Sequence, residues 1–178
     1  MIRIVRASHR FRTSHDGIES WHCFAAGQHY DPANLSHGDL IGVDEHLVAP
    51  GAGFDWHAHR GVLIASWVLS GALRHQDDRG GEQVVEPGRL FRQDASAGLR
   101  HRETCASNEA LRLVQLTALT GSFDVRHSAG ALNAAQWHLF VARGAWTIAK
   151  TVVREGDSVR GEGAVEVAGS GELLVWTS

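Results

Sequence analysis

The most constraining feature of the sequence is a series of short apolar segments that recur about every ten residues and are separated by turn-forming residues. The run from Val62 to Leu69 is rich in β-branched and aromatic residues and has a glycine on each side, which is typical of a strand buried on both faces. Further strands are predicted for ALRHQ, EQVVE, LFRQD and LRLVQLTAL, with turns at DDRGG and PG. No intervening segment has helical periodicity, so the pattern predicts an antiparallel β-sandwich or barrel and disfavours a doubly wound α/β fold.

The pattern changes after about residue 120. The segments HLFVARGAWTIAKTVV, VEVAG and ELLVWTS predict strands, whereas GDSVRGEGAVEVAGSGE is interpreted as turns and short pieces. In the first part of the chain, ASAGLRHRETCASNE is interpreted as a loop. We therefore expect a larger β unit over residues 1–118 and a partial second unit over residues 119–178. The second unit contains only His127 and His138, so no second metal site is expected there.

Composition excludes several classes of protein. The 178 residues suffice for a substantial core, and two cysteines are too few for a disulfide framework. A net charge of -3 argues against direct nucleic-acid binding. The sequence has no apolar run near the roughly 18 residues of a membrane span and no apolar secretory signal at its start, so we expect a cytoplasmic protein without a membrane partner.

Two pairs of polar residues have the spacing of metal ligands. His57 and His59 in FDWHAHRG are one residue apart and project to the same side of a strand, and His101 and Glu103 repeat this spacing. Three imidazoles and a carboxylate suit one divalent transition metal. Fe(II) is expected, and Mn, Ni, Co, Cu and Zn are also compatible. An ion with five or six partners would keep one or two positions open for substrate or dioxygen.

Neighbouring residues are interpreted as structural. His75 lies at the foot of a hairpin and is left out of the site, because a turn-stabilising hydrogen bond is expected there. Cys105 is expected to be a small buried residue. Arg60 and Arg102 should point away from the ligands they adjoin, and Trp56 is expected to fill the core rather than line a pocket.

Several further motifs occur in a consistent order over about residues 1 to 117. They are YDPANL at 30–35, VAPGAGFDWHAHRG at 48–61, VLSGALRHQDDRGG at 68–81, EPG at 86–88 and SAGLRHRE at 96–103. The stretches around His57 and His101 resemble the two cupin motifs, and the whole set resembles the pirin family. Because these motifs are independent, the resemblance is more specific than a single His-x-His pair.

The resemblance to pirins implies an all-β fold, a double-stranded β-helix of cupin units with a jelly-roll-like arrangement. It also implies one Fe ion held in the N-terminal unit by the residues matching His57, His59, His101 and Glu103. Some pirins cleave the flavonol quercetin with dioxygen, whereas others act as iron-dependent regulators or bind partner proteins. The chain departs from the family pattern at Leu63, where pirins carry a glutamate, and in its short second unit.

Two functions follow from these observations. In the first, the protein is an Fe-dependent dioxygenase acting on quercetin or a related flavonol, with Glu103 doubling as the catalytic base. In the second, it is a non-catalytic iron-binding protein that regulates or contacts a protein partner. Leu63 and the short second unit favour the second function, and the intact ligand set favours the first.

Overall fold

The computed structural model describes residues 2–178, and their regular structure is β apart from one 3-10 turn at Ala7–His9. The architecture confirms the predicted all-β class, and ten of its strand pairs are antiparallel in register. The strands are β1 Arg3–Val5, β2 Phe11–His15, β3 Ile18–His22, β4 Leu40–Val48, β5 Gly53–His59, β6 Leu63–Ser70, β7 Leu73–Asp77, β8 Glu82–Val85, β9 Leu90–Asp94, β10 Leu99–Cys105, β11 Leu111–Ala118, β12 Ser122–Ile148, β13 Thr151–Arg154 and β14 Ser158–Thr177. No helix in the described part of the chain is long and apolar enough to cross a membrane.

The chain forms two compact units. The central unit contains residues 11–22 and 42–119, and the terminal unit contains the chain up to Arg10 together with residues 23–41 and 120–178. The terminal unit thus takes segments from three parts of the chain. The division into 1–118 and 119–178 follows chain order and stays a prediction.

The central unit is built from two sheets with the strand orders β5-β10-β7-β8 and β2-β3-β4-β11-β6-β9. Both sheets contribute apolar side chains to one core, including Leu73 and Cys105 from the first and Val68, Leu111 and Leu113 from the second. The core is apolar because inward positions alternate with outward ones along each strand. One stretch of this interior is polar instead, and it lies on the strands that carry the predicted ligands.

The terminal unit has one sheet with the order β1-β14-β12-β13. The long strands β12 and β14 pair twice along their length, since Trp137 lies opposite both Gly161 and Thr177. Register shifts mark the bends that this double pairing requires. Trp137 and Trp146 are fully buried in the apolar core of this unit.

Most predicted strands of the first part are confirmed, but the loop interpretation of ASAGLRHRETCASNE is wrong. Its middle forms β10, in which Leu99, His101, Glu103 and Cys105 are buried while the residues between them are not. The alternation of inward and outward residues is not visible as an apolar pattern in the sequence, because two of the four inward positions are polar. Polar residues at inward positions defeat a strand prediction that relies on apolar periodicity.

The interpretation of GDSVRGEGAVEVAGSGE as turns is also wrong, because most of it lies in the continuous strand β14. Two of its glycines permit close backbone contact instead of ending the strand. A Cβ atom at Gly169 would collide with the carbonyl oxygen of Ala145, and one at Gly171 with that of Arg143. Glycine at such positions marks a close approach of two backbones.

Candidate metal centre

The pairing of β5 with β10 brings the two predicted ligand pairs together. His57 lies opposite His101, whereas Glu103 lies opposite Phe54, so β5 contains one extra residue at this point. This bulge lets Phe54 and His57 face the interior although they are three positions apart. Phe54 packs against the central core, and its ring lies 6.4 Å from that of His57.

Three imidazoles converge at this place. The rings of His57, His59 and His101 have centroids 4.4 to 5.0 Å apart, and one nitrogen from each lies within 4.8 Å of the others. His101 is fully buried, whereas His57 and His59 are half-buried. The group is therefore closed on the inner side and accessible on the other.

The hydrogen bonds of two of these histidines fix their tautomers. Nδ1 of His57 lies 2.7 Å from the carbonyl oxygen of Asp55, and a carbonyl oxygen can only accept. Nδ1 of His101 lies 2.7 Å from Oε1 of Gln93, so it also donates. In the neutral rings, both Nε2 atoms therefore carry a lone pair and no hydrogen.

These two Nε2 atoms lie 2.9 Å apart. Two nitrogen ligands at right angles on one ion, each about 2.1 Å away, would be about 3.0 Å apart. Two neutral imidazoles that point lone pairs at each other repel unless a proton or a cation lies between them. Nε2 of His59 is likewise buried without a hydrogen-bond partner. This donor set fits a divalent transition metal.

Glu103 is a buried carboxylate held by two amides. Oε1 accepts a hydrogen bond from Gln93 Nε2, and Oε2 accepts one from Gln115 Nε2, both at 2.9 Å. Burial raises the pKa of Glu103, but contacts with His75, His101 and Gln115 outweigh it and lower that pKa to about 2. Glu103 is therefore a negative charge in the interior.

The surroundings of His101 and His59 favour their neutral forms, because both pKa values are lowered. Burial, opposed by Glu103 and reinforced by the neighbouring histidines, lowers the pKa of His101 to about 4. The pKa of His59 is also lowered, chiefly by burial and then by His57. Neutral imidazole is the form that binds a metal.

His75 lies beside the predicted ligands, although the sequence analysis left it out. It is buried on β7 directly opposite Glu103, and its Nδ1 is 3.6 Å from Glu103 Oε1. Its Nε2 is 3.5 Å from Asp77 Oδ2. This contact corresponds most closely to the turn-stabilising hydrogen bond that was predicted for His75. The alternation of Leu73, His75 and Asp77 along β7 is the sequence signal that could have placed it inside.

Within residues 2–178, the ligand atoms form two groups that share His101. One group joins His101 to His57 and His59, and the other joins it to His75 and Glu103. Glu103 does not fall in one group with His57 and His59. The predicted set of four ligands stays a proposal.

The opposite face of the same strands carries an exposed cluster. As predicted, Arg102 points away from the ligands, and its Nε donates to Gln76 Oε1 at 2.6 Å. The expectation that Trp56 fills the core is wrong. Its ring is half-buried on the outer face, with the guanidinium carbons of Arg100 and Arg102 at 5.1 and 5.6 Å from it. Trp56 directly precedes His57, so strand alternation places it on the face opposite to the ligands. Cys105 is buried in the core, as expected.

Comparison with known proteins places this site in context. The family model described as Pirin matches residues 4–117. A protein from Mycobacterium tuberculosis, provisionally named a quercetin 2,3-dioxygenase, is 39% identical over 130 residues, which are 69% of this chain and 53% of that protein. A quercetin 2,3-dioxygenase from Escherichia coli K12 is 32% identical over 117 residues, covering 65% of this chain and 51% of its own. The chain thus spans about half the length of the curated relatives it matches.

Solved structures show the same fold. The bacterial pirin YhhW from Escherichia coli, in complex with nickel(II), has a TM-score of 0.87 at 22% identity and covers 99% of both chains. A quercetin 2,3-dioxygenase from Acinetobacter baumannii has a TM-score of 0.72 at 13% identity, covering 99% of this chain and 79% of its own. These likenesses confirm the predicted cupin-type fold class.

Proposed function

Because the chain belongs to the pirin family, we propose that it is a metal-dependent dioxygenase that opens the heterocyclic ring of quercetin or a related flavonol. The observation that carries the proposal is the pair of hydrogen-free Nε2 atoms of His57 and His101, 2.9 Å apart beside a buried carboxylate. The names of the relatives from Escherichia coli and Acinetobacter baumannii support the reaction type. The nickel(II) complex of a pirin supports a divalent metal.

In this proposal His57, His59, His101 and Glu103 hold one divalent ion. Fe(II) is the proposed native metal because the reaction uses dioxygen, and the same donors accept Mn, Ni, Co, Cu or Zn. Such an ion supplies a Lewis acid that lowers the pKa of the flavonol 3-hydroxyl group, together with a site for dioxygen chemistry. The half-buried side of the histidine group, at His57 and His59, is where a flat aromatic substrate would approach.

The chain's own groups divide the remaining tasks. His101 and Glu103 hold the inner side of the site, and their burial excludes water from it. Glu103 is the proposed base for the substrate hydroxyl proton. Each of its oxygens already accepts one hydrogen bond, so the proton would go to a remaining lone pair of the carboxylate. In the overall reaction both atoms of dioxygen enter the ring-opened ester, and one ring carbon leaves as carbon monoxide.

The substitution Glu103→Gln tests the base. We expect turnover to fall at least about 100-fold while part of the metal is retained, because the amide keeps one ligand oxygen but cannot take the proton. The measurement is quercetin-dependent oxygen uptake alongside metal content. Glu45→Gln, at another buried carboxylate of the central unit, is the control. Unimpaired turnover in the Glu103 variant would remove the proposed base.

A second candidate is a non-catalytic metal-binding protein with a regulatory partner. Leu63, which stands where the family pattern has a glutamate, favours it, because the pocket then lacks one acid or base. In either case a cytoplasmic location and the absence of a nucleic-acid partner stay predictions from composition. The two candidates agree on the metal and differ on oxygen consumption.

The deciding experiment is metal analysis of the untagged protein, followed by oxygen-electrode and carbon monoxide measurements with quercetin. Stoichiometric metal with coupled oxygen loss and carbon monoxide release supports the dioxygenase. Metal without oxygen consumption supports the second candidate, and no metal refutes both. His57→Ala should lose the metal, whereas His15→Ala, at an exposed histidine, should retain it.

A further inference from the structure

One buried amide contacts two of the proposed metal ligands at once. Gln93 lies on β9, in the sheet opposite the ligand strands, and is 6% exposed. Its Oε1 is 2.7 Å from Nδ1 of His101, and its Nε2 is 2.9 Å from Oε1 of Glu103. The side chain therefore joins two neighbouring inward positions of β10.

The chemistry of the three groups allows one arrangement of hydrogens. An ionised carboxylate only accepts, so the NH₂ group of Gln93 must face Glu103. Its oxygen must then face His101, and Nδ1 of His101 must carry the hydrogen. This leaves the lone pair of His101 on Nε2, the atom that faces His57.

We propose that Gln93 is a positioning residue that fixes the tautomer of His101 and orients the Glu103 carboxylate, and thereby raises the affinity of the site for a divalent cation. The proposal rests on the proposed metal site but not on the flavonol reaction. Hydrogen-bond partners of metal-binding histidines and carboxylates commonly change metal affinity about 10–100-fold when they are removed. Gln93 acts on a ligand of each kind.

Gln115 provides a matched comparison within the same site. Its Nε2 also donates to Glu103 at 2.9 Å and lies 3.0 Å from Ser66 Oγ. Its hydrogen bonds reach Glu103 and Ser66, whereas those of Gln93 reach Glu103 and His101. Replacing each glutamine by methionine, which has a similar length and no hydrogen-bonding amide, separates the effect on the carboxylate from the effect on the imidazole.

The first measurement is the tautomer of His101 in the metal-free protein, read from long-range ¹H–¹⁵N imidazole spectra at neutral pH. The His101→Asn variant identifies the resonance. We expect the Nδ1–H form in the wild type and in Gln115→Met, and a mixture of tautomers in Gln93→Met. A purely structural role for Gln93 would leave this spectrum unchanged.

The second measurement is calorimetric titration with Ni²⁺. We expect Gln93→Met to weaken binding about 10–100-fold and Gln115→Met to weaken it less than about tenfold. A Gln93→Met protein with wild-type tautomer and wild-type affinity overturns the proposal. If that variant does not fold, Gln93→Glu replaces it. Glutamate keeps an acceptor for His101 but places a carboxylate against Glu103, so we expect the wild-type tautomer with altered affinity, and a changed tautomer contradicts the proposal.

The same data separate this proposal from the proposed function. A wild-type protein that takes up no Ni²⁺ overturns both the metal site and the affinity effect assigned to Gln93. A wild-type protein that binds Ni²⁺ but consumes no oxygen with quercetin overturns the dioxygenase alone. The tautomer comparison needs neither metal nor substrate.

Discussion

His101 in the central unit and His138 in the terminal unit are both buried histidines, and only one of them lies in a site suited to a cation. Burial lowers both pKa values, to about 4 for His101 and about 3 for His138. Around His101 lie two further imidazoles, a carboxylate and an amide that fixes its tautomer. Around His138 lie the Phe24 ring at 5.8 Å and the charge of Arg160, and its Nδ1 has no hydrogen-bond partner.

The difference shows that burial of a histidine does not by itself make a metal site. A cation at His101 would be attracted by Glu103, whereas one at His138 would be repelled by Arg160. The orientation of the lone pair matters as much as the charge, because the hydrogen bond from Nδ1 of His101 to Gln93 leaves the lone pair on Nε2, which faces His57. The interior of the central unit thus contains a cluster of groups suited to a cation, whereas the core cluster of the terminal unit is apolar.

The largest effect on stability is expected in the terminal unit. Trp146 is fully buried in its apolar core, so Trp146→Ala should lower the free energy of unfolding by about 3–5 kcal/mol. Denaturant unfolding measures this change. The Ni²⁺ affinity of the folded Trp146 variant should equal that of the wild type, because the metal is not expected to bind in this core, and a weakened affinity would break the comparison.

The second effect concerns metal binding in the central unit. His101→Leu removes the ligand shared by both groups and should weaken Ni²⁺ binding more than about 100-fold, equivalent to about 2.7 kcal/mol. It also leaves the Gln93 carbonyl oxygen without its donor. Calorimetric titration checks this result, with thermal unfolding as the control for folding. Affinity within tenfold of the wild type would contradict the assigned site.

The third effect is the pH dependence of the stability that Asp157 contributes to the terminal unit. Burial raises the pKa of Asp157, but hydrogen bonds from the backbone N–H of Ala7, from Arg6 and from the backbone N–H of Arg154 outweigh it and lower that pKa. The stabilisation is therefore complete above the unfolded pKa of about 3.9 and is lost as the pH falls through the lower folded value.

Asp157→Asn should then cost about 1–3 kcal/mol at neutral pH and flatten the fall in stability between about pH 5 and the acid limit. Unfolding curves over this pH range measure both quantities. A variant whose stability falls with acid as steeply as that of the wild type would show that other carboxylates are responsible. Metal binding in the central unit should be unchanged.

The smallest effect is expected at His138. His138→Leu replaces a buried ring that has an unpaired Nδ1 by an apolar side chain, so the free energy of unfolding should stay within about 1 kcal/mol of the wild type. Ni²⁺ affinity should be unchanged, in contrast to His101→Leu. A loss of metal in the His138 variant would show that the two histidines are not as different as their surroundings indicate.

Much of the central unit could be predicted from the sequence because its strands are short, apolar and bounded by turn residues. The shared face of His57 and His59 could also be predicted, because alternate residues of one strand point to the same side. β10 was missed because His101 and Glu103 occupy positions where a strand prediction expects apolar residues. β14 was missed because glycines usually signal turns, whereas Gly169 and Gly171 permit close approach to β12.

The contacts that support the site could not be predicted from the sequence, although the alternation along β7 could have placed His75 in the interior. Gln93 and Gln115 contact Glu103 from strands of the opposite sheet, and His75 contacts it from the neighbouring strand β7. Nothing in the local pattern of LFRQD distinguishes a glutamine that holds a ligand from one that faces solvent. The register of β7 against β10, which sets His75 opposite Glu103, is a property of the sheet.

The sequence by itself determined the all-β class, the family motifs and the two pairs of side chains with ligand spacing, because each depends on residues close together in the chain. Only the tertiary structure decided which lone pairs face each other, which amides hold the carboxylate and why His138 differs from His101. Those properties arise from contacts between strands far apart in sequence, and their energies depend on distances and burial that exist only after the sheets have packed.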